Sequence, residues 1–392
     1  MELGLFANFY PGKDRLGTHS TSLALLLLRA DPELKLQLTI PQGSEWPAGF
    51  ARDRIEFRPE WRHDDPAAMA KAAARMARSL TPDGHALFNW FPTCFGETKA
   101  ANATGMLLPG LVRLLSRKPP SVYAHNFIET QDVRRLGYHA TRTERLALGT
   151  LERTLVRSAR VFVPLDSQRQ SLERLFGISA TARSIPFVEA LYGHWVHEAF
   201  PGQNFGVSIP PRRQFRVLLF GVWGPAKDLD SVLPVLDGLY RSGQRFETLF
   251  AGSFNRFFPG YREKLREALA SLPAELCQFV NEPPDEATPE LFGSSDLVIL
   301  PYNAIAGPSG VMGLATFHGC RIIAYDVPEL REYDAILAGK SVFVARGDRT
   351  ALSEAIARCI AGEVPGSQES AASKVNRAET AARQLLQDIA HG

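Results

Sequence analysis

The stretch Asp296–Leu330, DLVILPYNAIAGPSGVMGLATFHGCRIIAYDVPEL, constrains the fold more than any other part of the chain. Leu297 to Leu300 is a short apolar run closed by Pro301, the pattern of a strand buried on both faces of a parallel sheet. Ala306-Gly307-Pro308-Ser309-Gly310 follows, supplying an N-cap serine and two glycines where a helix begins. The helix is predicted over Val311–His318, with Gly319 as its stop. Arg321–Val327 then returns as a second strand. A helix N-terminus fronted by Gly-Ser-Gly presents free N–H groups and the positive end of the helix dipole, which suits a phosphate. Gly310 lets the backbone approach an anion with no Cβ in the way. Ordinary turn chemistry accounts for the same residues, so the surrounding pattern has to decide.

That pattern is a strand–helix alternation that runs twice. With 392 residues the chain exceeds what one core organises, and two domains are predicted. In the first series the strand Leu3–Phe9 leads through the loop Pro11–Thr18 into the helix Ser20–Arg29 and the strand Leu36–Ile40. Further strands are expected at Ile55–Arg58, Ala86–Phe91, Ser121–His125, Arg160–Pro164 and Ser184–Phe187. Helices are expected over Pro66–Ser79, Gly96–Ser116, Arg134–Arg157 and Gln168–Phe176, the last stopped by Gly177. Pro201–Arg213, PGQNFGVSIPPRR, breaks the rhythm with Gly and Pro and reads as an interdomain linker. The expected layout is therefore an N-terminal Rossmann-like domain over 1–200, a linker over 201–213 and a C-terminal Rossmann-like domain over 214–374. A terminal helix over 375–392 crosses back to the first domain.

In open parallel sheets ligands gather beyond the carboxyl ends of the strands. His125-Asn126 ends such a strand, which places His125 where a catalytic or orienting group would sit. A satisfied loop histidine is the alternative. Gly17-Thr18 precedes a helix and reads as a phosphate or acceptor loop, or as a simple turn. In the second series the strand Arg216–Phe220 is followed by Gly221-Val222-Trp223-Gly224-Pro225-Ala226-Lys227, so Lys227 offers a cation at a strand end where a diphosphate would need one. Asp228-Leu229-Asp230 has the form of a metal motif, but acids in a first helical turn are expected for capping. The 4 cysteines, Cys94, Cys277, Cys320 and Cys359, lack paired metal spacing, and no metal or cofactor is expected. Their scatter is that of a reducing cytosol. No stretch approaches the length of a membrane span. With a net charge of +2 and dispersed basic residues lacking interleaved aromatics, nucleic acid is not an expected partner. The arginine-rich stretch Arg134–Arg157 is either a solvated face or a docking surface for an anionic lipid.

Taken together, Gly221 with Lys227-Asp228-Leu229, the strand Asp296–Tyr302, the turn Ser309-Gly310-Val311 with Ala315, and Gly319 followed by Ile322–Val327 and Glu329 resemble the nucleotide-sugar-binding half of the GT-B glycosyltransferases called family 4. The resemblance covers about Phe215–Ala361, with looser similarity at Gly17, at His125 and at Asp166-Ser167. It implies an α/β chain with two Rossmann-like, doubly wound domains facing a central cleft. It also implies transfer of a sugar from a nucleotide-diphosphate donor to a saccharide, lipid-linked or other hydroxyl acceptor, with retention at the anomeric carbon, as in polysaccharide or glycoconjugate biosynthesis. The site residues it implies are His125 and Lys227 as catalytic groups and Gly221, Lys227, Val280, Asn281, Gly307, Ser309, Gly310 and Val311 for the donor. Gly17, Thr18 and Asn126 would serve the acceptor or the diphosphate. The sequence departs from the family at Ala306 and Leu314, where glutamates are usual, and at Val222, where an arginine is expected.

Those departures leave Lys227 and backbone N–H groups to hold the diphosphate. A cation and preorganised N–H groups in a water-poor cleft stabilise a departing nucleotide without a metal. The expected setting is cytoplasmic, with peripheral contact at the inner face of a membrane through the N-terminal domain. Two alternatives stand beside this reading: a catalytically silent GT-B scaffold that binds a sugar nucleotide or recruits partners, and a nucleotide-sugar epimerase.

Overall fold

The apolar runs become the strands of two separate parallel sheets in the computed structural model, which describes residues 1–11, 15–130, 136–137, 141–199, 209–305 and 307–391. The first sheet contains β1 (Glu2–Phe6), β2 (Lys35–Pro41), β3 (Ile55–Trp61), β4 (His85–Trp90), β5 (Ser121–Ala124), β6 (Arg160–Val163) and β7 (Thr181–Ala182). The second contains β8 (Phe215–Phe220), β9 (Phe246–Gly252), β10 (Cys277–Asn281), β11 (Leu297–Leu300), β12 (Arg321–Tyr325) and β13 (Val342–Val344). Their orders are β3-β2-β1-β4-β5-β6-β7 and β10-β9-β8-β11-β12-β13. In each sheet the winding reverses once, between β1 and β4 and between β8 and β11. A crevice opens at such a switch point, beyond the strands' carboxyl ends. The chain is thus α/β, with two Rossmann-like domains.

The helices of the first domain are α1 (Arg15–Ala30), α2 (Pro66–Ser79), α3 (Lys99–Leu115), α4 (Arg142–Ser158), α5 (Asp166–Phe176) and α6 (Val188–Ala199). The second domain carries α7 (Leu229–Arg241), α8 (Tyr261–Ala270), α9 (Thr288–Gly293), α10 (Gly310–Phe317), α11 (Pro328–Ile336) and α12 (Arg349–Ile360), and α13 (Ala371–His391) follows. Local chemistry sets many of the ends. Asp65 caps α2 by accepting from Ala68 N, with Pro66 as the first helical residue. Thr141 and Glu144 form a reciprocal capping box on α4. Gly177, at φ +63°, closes α5.

Several boundaries move from their sequence expectations. α1 begins at Arg15, so Gly17 and Thr18 lie in its first turn rather than in a loop. Within that first stretch the hydroxyls of Ser20 and Thr21 bond back to the carbonyls of Leu16 and Gly17. Gly12 to Asp14 of the expected loop lie outside the described residues, as do residues 134–135 and 138–140 of the expected helix Arg134–Arg157. The strand expected at Ser184–Phe187 is replaced by the two-residue β7, and Phe187, at φ +65°, turns the chain into α6. Of the linker region, residues 201–208 lie outside the described residues, and residues 209–213 lead as coil into β8.

Two helices tie the domains together. α13 buries Val375, Ala378, Ala382, Leu385, Leu386 and Ile389, a spacing of three and four that forms one apolar face. Arg383 donates to the Ala30 carbonyl at 3.2 Å and Arg183 pairs with Asp388 at 2.6 Å, so α13 lies against the first domain. α6 packs against α1 on one side and α10 on the other, and its Leu191 and Trp195 belong to a single apolar cluster drawn from both domains.

Candidate active site

On the N-terminal rim the carboxyl ends of β4 and β5 converge on a polar group. Asn89, the penultimate residue of β4, is 1% exposed and cannot go unbonded there. Its side chain bonds His125 Nε2 at 2.8 Å, Ser20 Oγ at 2.7 Å and His19 Nδ1 at 3.3 Å. His125 follows β5, and its ring meets that of His19 edge to face at 4.3 Å. Burial pushes His125 down to about 4 and holds His19 well below the usual histidine range, so both imidazoles are neutral near pH 7. The unfolded chain therefore binds more protons than the fold below about pH 6.5. Their contribution is lost as pH falls from the ordinary value of 6.5 toward about 4. Thermal melts are expected to drop over that interval, and His19→Gln should flatten the drop. The neighbouring Asn126 is buried, and its side-chain oxygen has no hydrogen-bond partner among the described residues. Thr18 bonds Asp285 of the opposite domain through its hydroxyl.

On the C-terminal rim Gly221 follows β8, sits at φ +116° and donates to the Ala251 carbonyl at 3.0 Å. A Cβ there would stand 2.9 Å from Lys227 Nζ and 3.5 Å from the Val311 side chain, so Gly221 is the space over which Lys227 meets the start of α10. Lys227 is 6% exposed, so the cation that the sequence places at a strand end is buried and not open to the cleft. Its ammonium donates to the Phe220 carbonyl and lies 4.4 Å from the Trp223 ring centroid and 5.7 Å from that of Tyr302. Cation–aromatic attraction offsets part of the desolvation. Asp228 caps α7 by accepting from Ser231 N at 3.1 Å, and Asp230 pairs with Lys264 on the surface. Both acids of the DxD sequence thus have structural roles.

Ser309 caps α10, its hydroxyl accepting from Met312 N at 3.1 Å. Gly310 and Val311 form the first turn. Ala306 lies outside the described residues. Leu314 is buried in the interdomain apolar cluster, so its side chain packs rather than meets solvent. Val222 is 47% exposed. Val280 and Asn281 end the edge strand β10, with Val280 half-buried and Asn281 exposed.

The two rims meet at Gly307. A Cβ there would lie 2.7 Å from the His125 carbonyl oxygen, a carbonyl that also accepts from Gln168 Nε2 at 2.8 Å. On one side of this contact a polar interdomain cleft of about 400 Å³ is lined by Ser167, Gln168, Asn303, Asp326, Glu329 and Arg346, among others. Glu332 of α11 accepts from the backbone N–H groups of Asp166 and Ser167 at the start of α5, and Tyr10 bonds Glu286. The structure therefore brings His125, Gly307, Ser309, Gly310, Val311, Gly221 and Lys227 to facing rims of one interface. Val280 and Asn281 stand further along the C-terminal rim, on the edge strand.

Residues that sequence reasoning missed are Asn89, His19, Gln168 and Glu189. His19 directly follows the glycine turn that was singled out. Glu189, in the first turn of α6, contacts the N-terminal turn of α10 from the other domain. Nothing local in the sequence marks it.

No protein-family model matches the chain, and no curated protein matches its sequence. Solved structures do match it in shape. HepE of Anabaena, crystallised with UDP and glucose, shares 14% identity at a TM-score of 0.66, over 100% of this chain and 99% of that one. An α,α-trehalose-phosphate synthase (UDP-forming) from Burkholderia vietnamiensis shares 12% at 0.64, over 99% and 98%. WaaG, a glycosyltransferase involved in lipopolysaccharide biosynthesis, shares 13% at 0.57, over the whole of both chains. Likeness at such identities is likeness of fold, and the fold of this chain is GT-B.

Proposed function

We propose that the protein is a glycosyltransferase of the family 4 kind, taking a sugar from a nucleotide-diphosphate donor to a hydroxyl acceptor. The observation that carries this reading is the meeting of Lys227 with the capped first turn of α10 over Gly221, at the β8/β11 switch point. A fixed ammonium and oriented N–H groups at one place stabilise the charge that develops on a departing nucleoside diphosphate. Neighbours crystallised with UDP and with UDP-glucose add support for a sugar-nucleotide donor. In this reading the family resemblance implies retention at the anomeric carbon, and no metal is needed because Lys227 and the helix turn supply the stabilising charge. Val280 and Asn281 would flank the base.

His125 acts as a neutral hydrogen-bonding group, oriented by Asn89. The interdomain cleft, lined by amides, hydroxyls and opposite charges, suits a hydroxyl-rich acceptor. On α4 the exposed residues Arg142, Arg145, Leu146, Arg153 and Arg157 share one face at helical spacing, which would place an anionic lipid surface or lipid-linked acceptor beside the first domain. A silent sugar-nucleotide binder is the second reading. It is favoured by the burial of Leu314, where the resembled family carries an acid.

The test is isothermal titration against UDP-, GDP- and ADP-sugars, followed by product analysis with hydroxyl acceptors. Binding with transfer supports the enzyme, binding without turnover supports the silent scaffold, and failure to bind any of them sinks both. His125→Ala is expected to reduce transfer roughly 10-fold, the worth of one neutral hydrogen bond made in the transition state, with nucleotide affinity nearly unchanged. An equal loss of affinity, or no effect on transfer, would count against the role.

A further inference from the structure

α2, α3 and α4 bury their inner faces in one apolar cluster and pack side by side, so their outer faces form one continuous surface of the first domain. α3 and α4 meet near both ends: Lys99 pairs with Glu144 at 2.6 Å, and a Cβ on Gly110 would stand 3.3 Å from Ser158 Oγ. Leu107 precedes Gly110 by three residues and Leu114 follows it by four, so both lie on that flank of α3. Leu146 is on the outer face of α4. Leu114 and Leu146, at 83% and 74%, are the most exposed large apolar side chains among the described residues. Basic residues surround them: Arg113 and Arg117 beside Leu114, the exposed arginines of α4, and Lys71, Arg75 and Arg78 along α2. α2 and α3 contain no acidic residue, and of the acids in α4, Glu144 is tied to Lys99 and Glu152 is buried. The chain as a whole carries only +2, so this face gathers positive charge that is balanced elsewhere.

Arg78, Arg113 and Arg157 each sit in a last helical turn, where the helix dipole favours a cation. That accounts for those arginines, but not for leucines left in water among them. None of the three helices contains an aromatic residue, so nucleic-acid bases have nothing to stack on. Arginines around exposed leucines fit a membrane interface instead, with the cations at lipid phosphates and the apolar side chains at the acyl boundary. We propose that the outer face of α3 and α4, flanked by α2, docks on an anionic lipid bilayer, with Leu114 and Leu146 entering the headgroup–acyl boundary. This deepens the placement of a lipid surface beside α4, and it stands without the donor site. α3 and α4 lead away from the carboxyl ends of β4 and β5, so the docked face runs toward the rim that carries Asn89 and His125.

Sedimentation with vesicles of phosphatidylcholine containing phosphatidylglycerol, against phosphatidylcholine alone, reads the contact directly. The wild type is expected to bind the anionic vesicles only, and less as salt rises. Each arginine near an anionic surface is worth about fivefold in partitioning, so Arg113→Gln/Arg157→Gln should weaken binding roughly 25-fold and flatten its salt dependence. Leu114→Ser/Leu146→Ser should weaken binding roughly 10-fold with the salt dependence kept, because apolar burial is lost and the charges stay. Thermal melts at the wild-type midpoint show that these surface variants are folded. No binding of the wild type to anionic vesicles, or equal binding to neutral ones, overturns the proposal, whatever the variants do. Binding that the leucine variant leaves unchanged also overturns it, since the contact would then be charge alone. Titration with UDP is independent of these outcomes, so a failed lipid contact leaves the donor-site reading standing.

Discussion

Lys227→Met is expected to weaken UDP binding roughly 10- to 100-fold while the protein stays folded. A hydrogen bond to a charged group contributes about 1.5–3 kcal/mol, which converts to that range. Methionine keeps most of the volume packed between Trp223 and Tyr302, so the loss reports the cation rather than a hole. Lys227→Ala should lose the same affinity and melt lower as well, because the side chain is 6% exposed and its removal empties packed space. Titration with UDP beside a thermal melt separates the two effects. Wild-type affinity in a well-folded Lys227→Met protein would show that the phosphates are held elsewhere, and the donor-site assignment would fall with it.

The largest loss of stability is expected from Arg216→Ala. Arg216, the second residue of β8, is 1% exposed and makes a buried pair with Glu247 of β9 at 2.7 Å. It also donates to Ser294 Oγ at 3.1 Å and to the Pro210 carbonyl at 2.8 Å, which fixes the chain where it enters the second domain. Removing one partner leaves a buried charge uncompensated, at a cost of about 3–5 kcal/mol. The double variant Arg216→Met/Glu247→Leu should recover most of that loss, because an apolar pair of similar volume avoids the desolvation penalty of two ions. Denaturant unfolding of both variants checks the claim. Equal midpoints for Arg216→Ala and the wild type would mean that Glu247 is rehydrated or neutral in the variant. The effect bears on function because the far end of the same strand leads into Gly221 and Lys227.

The alternation of strands and helices was legible because it rests on local physics. Buried parallel strands need continuous apolar runs, and helix ends need caps, so Pro66–Ser79, Leu297–Leu300 and the Ser309 cap could be read from spacing and residue type alone. The capping role of Asp228 was legible for the same reason. A glycine before a helical run predicts a turn at Gly17-Thr18, yet α1 begins at Arg15 and takes both residues into its first turn. β7 is shorter than the apolar pattern suggests, because Phe187 turns the chain toward α6 and the second domain.

What the sequence by itself determined is the class of fold and the places where strand ends offer polar groups: His125, Lys227 and the Ser309-Gly310 turn. Only the tertiary structure decided what those groups touch. Asn89 reaches His125 across 36 residues and His19 across 70, through neighbouring strand ends that no spacing rule links. Lys227 looked like a cation open to a cleft, but Trp223 and Tyr302 enclose it once β8 and β11 lie side by side. Glu189 meets α10 only because α6 of one domain packs on that helix of the other across the interface. Caps and runs are set by neighbours in the chain. The charge and burial of a site are set by neighbours in space, and here those come from both domains.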